Sequence, residues 1–200
     1  AGVFDPKTAI QVVRERGLAM EKAAEGVESA MMAILGLERE PLLDICVGCD
    51  GYVSIANYNC PGQLVIAGEK KAVEEAGQKA LDHGARRAVP LNTSGPFHTK
   101  LLKDASTRLH EVFKDITFHE MNIPVIFNCT GKELENCSVQ NMLEKQVMSP
   151  VYFEDSIRYM LENGVDTIIE IGPGKVLSGF IRKIDKTIKT YQVEDQASLE

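Results

Sequence analysis

The sequence predicts an α/β protein of two parts, because its hydrophobic pattern changes near residue 93. Before that point, short apolar strands and amphipathic helices follow the order β-α-β-β-α-β. Beyond it, helices alternate with short apolar strands, a pattern typical of a parallel sheet. The chain has 200 residues, of which 44% are hydrophobic and 26% charged, so it is long enough to bury a substantial core.

The first predicted helix begins at Asp5-Pro6, since aspartate is a favoured N-cap and proline fits the first helical position. We expect it to run to Ala24. Four residues recur at spacings of four, three and four and are predicted to share one stripe: Ala9, Val13, Arg16 and Met20. A guanidinium on an apolar stripe is costly without a partner. Arg16 is therefore either a snorkelling or internally paired arginine, or a receptor for a substrate carboxylate.

The next six predicted elements lie between residues 26 and 93. They are the strand ESAMMAILG, the helix REPLLDIC, the strands YVSIANYN and QLVIAG around Pro61-Gly62, the helix EKKAVEEAGQKALDHG and the strand RRAVPLN. This β-α-β-β-α-β order is typical of a ferredoxin-like unit, with helices on one face of a sheet. We therefore expect residues 26–93 to form a ferredoxin-like small domain.

The remainder of the chain alternates helices with strands. The predicted helices are KLLKDASTRLHEVFKDI, VQNMLEKQVMSP, SIRYMLENG and KVLSGFIRKID, and the predicted strands are IPVIFNCTG and DTIIEIG. The turn Gly172-Pro173-Gly174-Lys175 lacks the full spacing of a P-loop, so a tight strand-to-helix turn is favoured over a phosphate site.

Composition excludes several classes of function. The formal charge of -7 argues against a nucleic-acid-binding domain. Among five cysteines, only Cys46 and Cys49 form a CxxC pair, and no second pair completes a zinc site, so we expect reduced thiols and no metal. No apolar run approaches membrane-spanning length and the first residues have no signal-peptide layout, so a cytosolic location is the default expectation.

The segment SGPFHT contains the best candidate for chemistry. Gly95 and Pro96 fix an irregular backbone, and His98 follows in a turn that we expect to be exposed, where an imidazole could act as a general base. No serine lies in a Gly-x-Ser-x-Gly elbow, so the base has no evident nucleophile. Asn57 and Asn59 either satisfy the backbone of a turn or line a ligand cleft.

Seven segments together resemble the malonyl-CoA:acyl carrier protein transacylases of bacterial fatty acid synthesis, which are related to polyketide acyltransferase domains. They are AGVFD with VVRERGLAM, SAMMAILGL, NYNCPGQLVIAG, RRAVPLNTSGPFHT, IPVIFNCTG, SPVYFEDSI and EIGPGKVL, in the order of that family and over nearly the whole chain. The resemblance implies an α/β-hydrolase-like large domain, formed by residues 1–25 and 94–200, into which the ferredoxin-like domain of residues 26–93 is inserted.

The resemblance also explains the missing nucleophile. In the family, a segment equivalent to AGVFD directly follows the elbow that carries the catalytic serine, so the large domain is expected to be incomplete at its N-terminus and the chain alone inactive. A domain without its first strands and helices would expose apolar faces and strand edges, so we expect the isolated chain to associate with itself.

Site residues are implied by the same resemblance. His98 would be the catalytic base, and the backbone carbonyl of Gln146 would orient it. Arg16 would bind the malonyl carboxylate, and Met20, Asn59 and Phe97 would contact the substrate. The ring of Phe97 would leave little room for an α-methyl group, so malonyl would be preferred to methylmalonyl.

The implied partners are malonyl-CoA and acyl carrier protein, with no metal, organic cofactor, nucleic acid or membrane. The carrier protein is acidic in this family, so it would need a basic docking patch, with these candidates: Arg86, Arg87, Lys175, Arg182 and Lys183. Two other functions stay open: a binding protein without a nucleophile, and a polyketide-type acyltransferase with another acyl group.

Overall fold

The computed structural model describes residues 1–199, and its first helix, α1, spans Pro6–Ala24 as predicted. The carboxylate of Asp5 caps it by accepting hydrogen bonds from the backbone nitrogens of Lys7 at 2.9 Å and Thr8 at 3.0 Å. The predicted stripe is only partly correct, because Val13 is 67% exposed. The 3.6-residue period turns Val13 away from the buried face, on which Val12 lies instead.

The other elements follow in chain order. They are β1 (Ser29–Leu35), α2 (Arg39–Val47), β2 (Val53–Cys60), β3 (Gln63–Glu69), α3 (Lys70–Asp82), β4 (Arg87–Leu91), a short 3₁₀ turn (Lys100–Leu102), α4 (Lys103–Phe113), α5 (Val139–Val147), β5 (Val151–Tyr152), α6 (Phe153–Glu162), β6 (Thr167–Ile171), α7 (Val176–Ile184), β7 (Lys189–Val193) and α8 (Gln196–Leu199). Residues 27–92 thus have the predicted element order.

The larger sheet has the strand order β4-β1-β3-β2-β5. Strand β1 pairs antiparallel with β3 and β4, β2 pairs antiparallel with β3, and β5 lies parallel to β2. Alternate side chains of β1 point to opposite faces, so Met32 and Ile34 pack under α2 and α3 while Met31 points to the other side. Both faces of this sheet are therefore covered, but by different partners.

The second face of the larger sheet packs against the segment that contains His98. A small cluster on that face consists of Met31, Ala56, Val65 and Ala67, and the ring of Phe97 packs against it. The same ring also packs against the cluster formed by α1, α4 and α5, which includes Met20 and Leu109. Phe97 thus lies where the sheet meets the helical part of the chain.

One predicted strand is wrong. Residues 123–131, IPVIFNCTG, form no strand, and their regular pairing is limited to a single bridge between Phe127 and Lys132. A strand needs a continuous row of backbone hydrogen bonds to a neighbour, but within residues 1–199 the only bond from a strand to this segment runs from the backbone nitrogen of Tyr152 in β5 to the Asn128 carbonyl oxygen, at 2.7 Å. Part of the segment is buried all the same, since Phe127 and Cys129 pack with Met142 of α5, while Ile123 is 59% exposed.

The two predicted parts of the chain are joined by an ion pair and an aromatic stack. Arg39 on α2 donates two hydrogen bonds to Asp155 on α6, at 3.1 and 2.8 Å. The guanidinium carbon of Arg39 lies 4.4 Å from the centre of the Tyr58 ring, which stacks on Tyr152 with a centroid distance of 4.9 Å. Strand β5 adds backbone pairing at the same place.

Parallel strands β6 and β7 form a separate two-stranded sheet, with no further strand paired to it within residues 1–199. Apolar side chains near it are exposed, among them Ile171 at 82% and Val176 at 63%. A second exposed apolar strip follows α1 through Ile10, Val13 and Leu18. In the part of the chain that the structure describes, no helix is long and apolar enough to cross a membrane.

Candidate active site

The loop of residues 94–99 is packed into the molecule, so the prediction of an exposed turn is wrong. Gly95, Pro96 and Thr99 are buried, while Phe97 and His98 are half-buried. A Cβ atom at Gly95 would lie 2.7 Å from the Cβ of Ala24, so the loop rests directly against the end of α1. The sequence signal of two backbone breakers indicated an irregular turn correctly, but not its burial.

His98 has a strained backbone and an unpartnered ring nitrogen. Its φ of 61° lies in the left-handed region, which costs a residue with a Cβ atom about 1–3 kcal/mol. Its Nδ1 atom is buried and makes no hydrogen bond of good geometry within residues 1–199, although the backbone groups of Gln146 and Ser149 lie near enough to act on the ring. Strain and an unsatisfied polar atom at one residue are typical of functional positions.

Several groups act on the protonation of His98. Burial is the main one and lowers the pKa of the imidazole from its ordinary 6.5. The backbone of Gln146 opposes this shift, the guanidinium of Arg16 lowers the pKa further, and the backbone of Ser149 raises it. The imidazole is therefore neutral at pH 7 and able to accept a proton.

Gln146 reaches this position because α5 ends beside the loop. Ser138 caps the start of that helix by accepting a hydrogen bond from the backbone nitrogen of Asn141 at 3.1 Å, and Pro150 follows its end. The backbone groups of Gln146 and Ser149 both lie near the imidazole. The resemblance named Gln146 but gave no sign of Ser149.

Arg16 is a half-buried cation without an internal partner. Burial lowers the pKa of its guanidinium, and no hydrogen bond or ion pair joins Arg16 to any of residues 1–199. Its neighbour Glu15 pairs instead with Arg14 at 3.3 Å and with Arg108 at 3.6 Å. Arg16 thus has no internal ion pair within residues 1–199, while the snorkelling and carboxylate-receptor interpretations both stay open.

Met20 follows Arg16 by one turn of α1 and Phe97 directly precedes His98, whereas Asn59 lies on β2. Met20 is buried in the cluster on which Phe97 packs. Asn59 is half-buried in β2, where the pairing with β3 is irregular between Tyr58 and Cys60. No hydrogen bond within residues 1–199 connects the Asn59 side chain to the other candidates.

No candidate nucleophile accompanies the base in the described part of the chain. The hydroxyl of Thr99 is buried and donates to the carbonyl oxygen of Pro96 at 2.7 Å. The cysteines form no disulfide, and burial raises the pKa of Cys46 to about 12 and that of Cys60 in the same direction. Such thiols are poor nucleophiles at neutral pH.

The Gly172–Lys175 turn is occupied by the protein's own anion. The carboxylate of Glu170 accepts hydrogen bonds from the backbone nitrogens of Leu177 at 3.1 Å and Ser178 at 2.8 Å, and from the Ser178 hydroxyl at 2.6 Å. These donors at the start of α7 are the ones that a phosphate would need. These contacts support the interpretation of residues 172–175 as a tight strand-to-helix turn and not as a phosphate site.

All five basic residues considered for docking are exposed. Arg86 lies against Gly36, whose backbone nitrogen donates to the Gly62 carbonyl oxygen at 2.7 Å. Lys183 donates to Gln63, the next residue, at 2.9 Å. Arg86 and Lys183 therefore both lie near the hydrogen-bonded turns at Gly36 and Gly62. Lys175 lies at the other end of α7, eight residues before Lys183.

Comparison with known proteins identifies relatives over the whole chain. A curated protein of Bacillus subtilis (strain 168), named malonyl CoA-acyl carrier protein transacylase, is 43% identical over 204 residues and is matched by 100% of this chain. A scan against models of protein families found no match. The chain is related to the malonyl CoA-acyl carrier protein transacylases. This relationship confirms the resemblance inferred from the sequence motifs.

Solved transacylase structures agree with the fold. The malonyl CoA-acyl carrier protein transacylase of Clostridium perfringens superposes with a TM-score of 0.94 at 40% identity and covers 99% of this chain. A malonyl-transacylase solved in complex with a type II PKS acyl-carrier protein superposes with a TM-score of 0.95 at 39% identity and covers 100% of it. The chain in turn spans 64% of the Bacillus relative and 63% and 65% of these two transacylase chains.

Proposed function

We propose that the protein transfers a malonyl group from malonyl-CoA to the phosphopantetheine thiol of an acyl carrier protein through a serine ester. The observation that carries this proposal is the half-buried, unpaired guanidinium of Arg16 beside the neutral, strained His98. Malonyl-CoA has a free carboxylate, which Arg16 can bind, and a thioester, at which His98 can act as a base. The names of the relatives support the same activity.

In this proposal His98 moves one proton in each half-reaction. A serine hydroxyl attacks the thioester carbonyl and gives its proton to His98, which passes it to the departing coenzyme A sulfur. The carrier-protein thiol then gives its proton to His98 and attacks the serine ester, and the proton returns to the serine oxygen. We place that serine outside residues 1–200, since the sequence contains no Gly-x-Ser-x-Gly elbow and no hydroxyl within residues 1–199 is hydrogen-bonded to the buried Nδ1 of His98.

Arg16 serves two purposes in this scheme. Its planar guanidinium can bind a carboxylate through two hydrogen bonds, which distinguishes malonyl from acetyl groups. Its charge also lowers the pKa of His98, so a bound carboxylate would relieve part of that effect. Binding of the correct acyl group would thus make His98 a stronger base at the moment when it must take a proton.

The acyl group would lie against Phe97 and Met20. Phe97 is supported on two sides, by Met31 and Val65 of the sheet and by the helical cluster, so its ring has little freedom to move aside. A fixed ring beside the base limits the space at the α-carbon of the substrate. We retain Asn59 as a further substrate contact and Gln146 as the group that orients His98.

The domain arrangement is part of the proposal. We propose a ferredoxin-like small domain at residues 26–93 and an α/β-hydrolase-like large domain that includes residues 1–25 and 94–200. The order β4-β1-β3-β2 and the sequence β-α-β-β-α-β support the small domain. Parallel β6 and β7, with α7 between them, support the large one. Cytosolic localisation stays a prediction from the sequence.

The carrier protein would dock at the basic side chains near the Gly36 and Gly62 turns. Arg86 lies against Gly36 and Lys183 donates to Gln63 beside Gly62, on a chain with a net charge of -7, so together they would form a local positive patch on an acidic surface. Reversing both charges to glutamate should slow transfer to carrier protein more than formation of the malonyl ester. Equal slowing of both steps would assign the docking site elsewhere.

The function is tested by transfer assays on the full-length gene product. We expect one malonyl group to appear on the protein after mixing with malonyl-CoA, by intact mass, and to disappear after addition of carrier protein. His98→Gln should slow turnover by about 10²–10⁴-fold, the usual contribution of a general base. His110→Gln, on an exposed histidine paired with Glu144, is the matched control. Unchanged turnover in His98→Gln would refute the proposal.

A further inference from the structure

The His98 loop is held by very few hydrogen bonds, although its backbone is strained. Among residues 1–199, the backbone of His98 makes no hydrogen bond outside regular elements, and the polar groups that act on its ring are the backbone groups of Gln146 and Ser149. The backbone nitrogen of Phe97 donates to the Gly95 carbonyl oxygen at 3.0 Å, and that of Leu102 donates to Thr99 at 3.1 Å. These bonds lie before and after the histidine and do not span it.

A single hydrogen bond does span it. The Oγ1 atom of Thr99 donates to the carbonyl oxygen of Pro96 at 2.7 Å, which closes a ring around Phe97 and His98. Thr99 is 1% exposed and belongs to a short group of buried polar residues. Because Pro96 and Thr99 are both buried, removing the hydroxyl would take from the Pro96 carbonyl the hydrogen bond that it accepts here.

We propose that Thr99 is the positioning residue of this loop, whose hydroxyl holds His98 in its left-handed conformation and its ring in the buried site. Left-handed backbone is unfavourable for a histidine and persists only where surrounding contacts enforce it. Close contact of Gly95 with Ala24 fixes one end of the loop, and the Thr99 hydroxyl fixes the other. Phe97, enclosed by the same bond, is held against both clusters.

This inference extends the proposed function but does not depend on it for its test. The role of His98 as a base rests on the proposed function, whereas the burial of its ring can be measured without any substrate. Burial keeps the pKa of His98 below 6.5, and Arg16 on α1 acts in the same direction. The backbone groups of Gln146, in the last turn of α5, and of Ser149, just after that helix, raise the pKa and so oppose this shift.

The experiment is an NMR titration of the 200-residue chain with isotope-labelled histidines, of which there are four. Loss of the His98 signal in His98→Gln assigns it. Thr99→Val removes only the hydroxyl, and we expect the His98 midpoint to rise towards 6.5 as the ring gains access to water. Thr99→Ser keeps the hydroxyl and loses the methyl group, and we expect the wild-type midpoint.

Thr107→Val is the matched control, because its exposed hydroxyl donates to the Lys103 carbonyl oxygen at 3.2 Å and lies outside the loop. It should leave His98 unchanged. A wild-type midpoint in Thr99→Val would overturn the proposal. If Thr99→Val does not fold, the test rests on Thr99→Ser. A raised His98 midpoint in Thr99→Ser would show that packing by the methyl group, and not the hydroxyl, keeps the ring buried, and it would overturn the proposal.

Discussion

Arg16 and His98 lie close enough that the guanidinium lowers the pKa of the imidazole, although they are 82 positions apart in the sequence. A guanidinium beside an imidazole in a half-buried site raises the cost of protonating that imidazole, so His98 is held in its neutral form. An anion bound between them would remove that cost. This relationship is the basis of the function proposed above.

The depressed pKa of His98 predicts how stability depends on pH. The unfolded histidine takes up a proton near pH 6.5, whereas the folded one does so only at lower pH. As the pH falls below 6.5, the unfolded state therefore binds more protons and the free energy of unfolding decreases, until the pH passes the folded pKa. Replacing His98 by glutamine should remove this part of the decrease.

Urea unfolding between pH 5 and pH 7.5 measures the effect. We expect the stability of wild type relative to His98→Gln to decline as the pH is lowered through about 6.5. His83→Gln, at an exposed position after α3, is the control and should leave the wild-type pH dependence in place. Parallel curves for wild type and His98→Gln would show that the ring is not buried in its neutral form.

Phe97 predicts selectivity for the acyl group. Phe97→Ala should open space beside His98 and reduce the preference for malonyl-CoA over methylmalonyl-CoA by about tenfold or more, since one methyl group in a tight pocket is worth about 1–3 kcal/mol. Transfer from both thioesters by the full-length protein measures this. Phe118→Ala, on a ring that packs with Phe113 away from the sheet, is the control and should keep the preference.

The Arg39–Asp155 ion pair predicts a stability effect between α2 and α6. Arg39→Lys keeps the charge but loses the two-pronged hydrogen bonding at 3.1 and 2.8 Å and the contact with the Tyr58 ring. Both side chains are about one third exposed, at 32% and 39%, so we expect a loss of only about 1 kcal/mol.

Denaturant unfolding with a double-mutant cycle isolates that interaction. Combining Arg39→Lys with Asp155→Asn should give less than the sum of the single effects, because each change breaks the same contact. The pair of Glu111 and Lys114 at the end of α4, with side chains that are 52% and 55% exposed, provides the comparison cycle, for which we expect a smaller coupling. Strict additivity at Arg39 and Asp155 would mean that the pair adds no stability.

The sequence predicts local structure well where local chemistry decides it. Helix α1 begins and ends at the predicted residues because Asp5 and Pro6 specify its start. The sequence pattern of residues 27–92 likewise predicts every element there, although not every strand buries alternate side chains, since five consecutive residues of β3 are buried. By contrast, residues 123–131 have the composition of a buried strand but belong to neither sheet of residues 1–199, and the two-residue strand β5 gives them one backbone hydrogen bond, from Tyr152 to Asn128.

The site is less predictable because it depends on contacts between distant segments. The closeness of Arg16 and His98 is not visible in residue spacing, and the pairing of Arg39 with Asp155 joins residues 116 positions apart. Strand β7, KTYQV, was missed because its polar residues hide the strand pattern. Thr99 was missed although it directly follows His98, since a threonine in a turn gives no sign of a buried hydroxyl.

Exposed apolar side chains on α1 predict self-association of the isolated chain. Ile10 is 71% exposed and Val13 67%, and the two are neighbours on one helix face. Sedimentation should give a mass above the 22.0 kDa of the monomer at high concentration. Ile10→Glu with Val13→Glu should restore the monomer. Val47→Glu, at a valine that is 86% exposed on α2, adds the same kind of charge elsewhere and should not.

A chain that sediments as a monomer at all concentrations would contradict this prediction. An equal effect of Val47→Glu would mean that added charge, rather than the α1 surface, controls association. Both outcomes are read from the same sedimentation series, with thermal melting to confirm that each variant is folded.

Binding of malonyl-CoA and acetyl-CoA to the wild-type chain and to Arg16→Ala, measured by calorimetry, tests the central claim most directly. We predict that the wild type binds malonyl-CoA about tenfold or more tightly than acetyl-CoA, since a hydrogen-bonded charge pair contributes about 1.5–3 kcal/mol. Arg16→Ala should bind both equally, while Arg108→Ala, on an exposed arginine of α4, should behave as wild type. Equal binding of the two thioesters by the wild type, or a preference that survives in Arg16→Ala, would contradict the account.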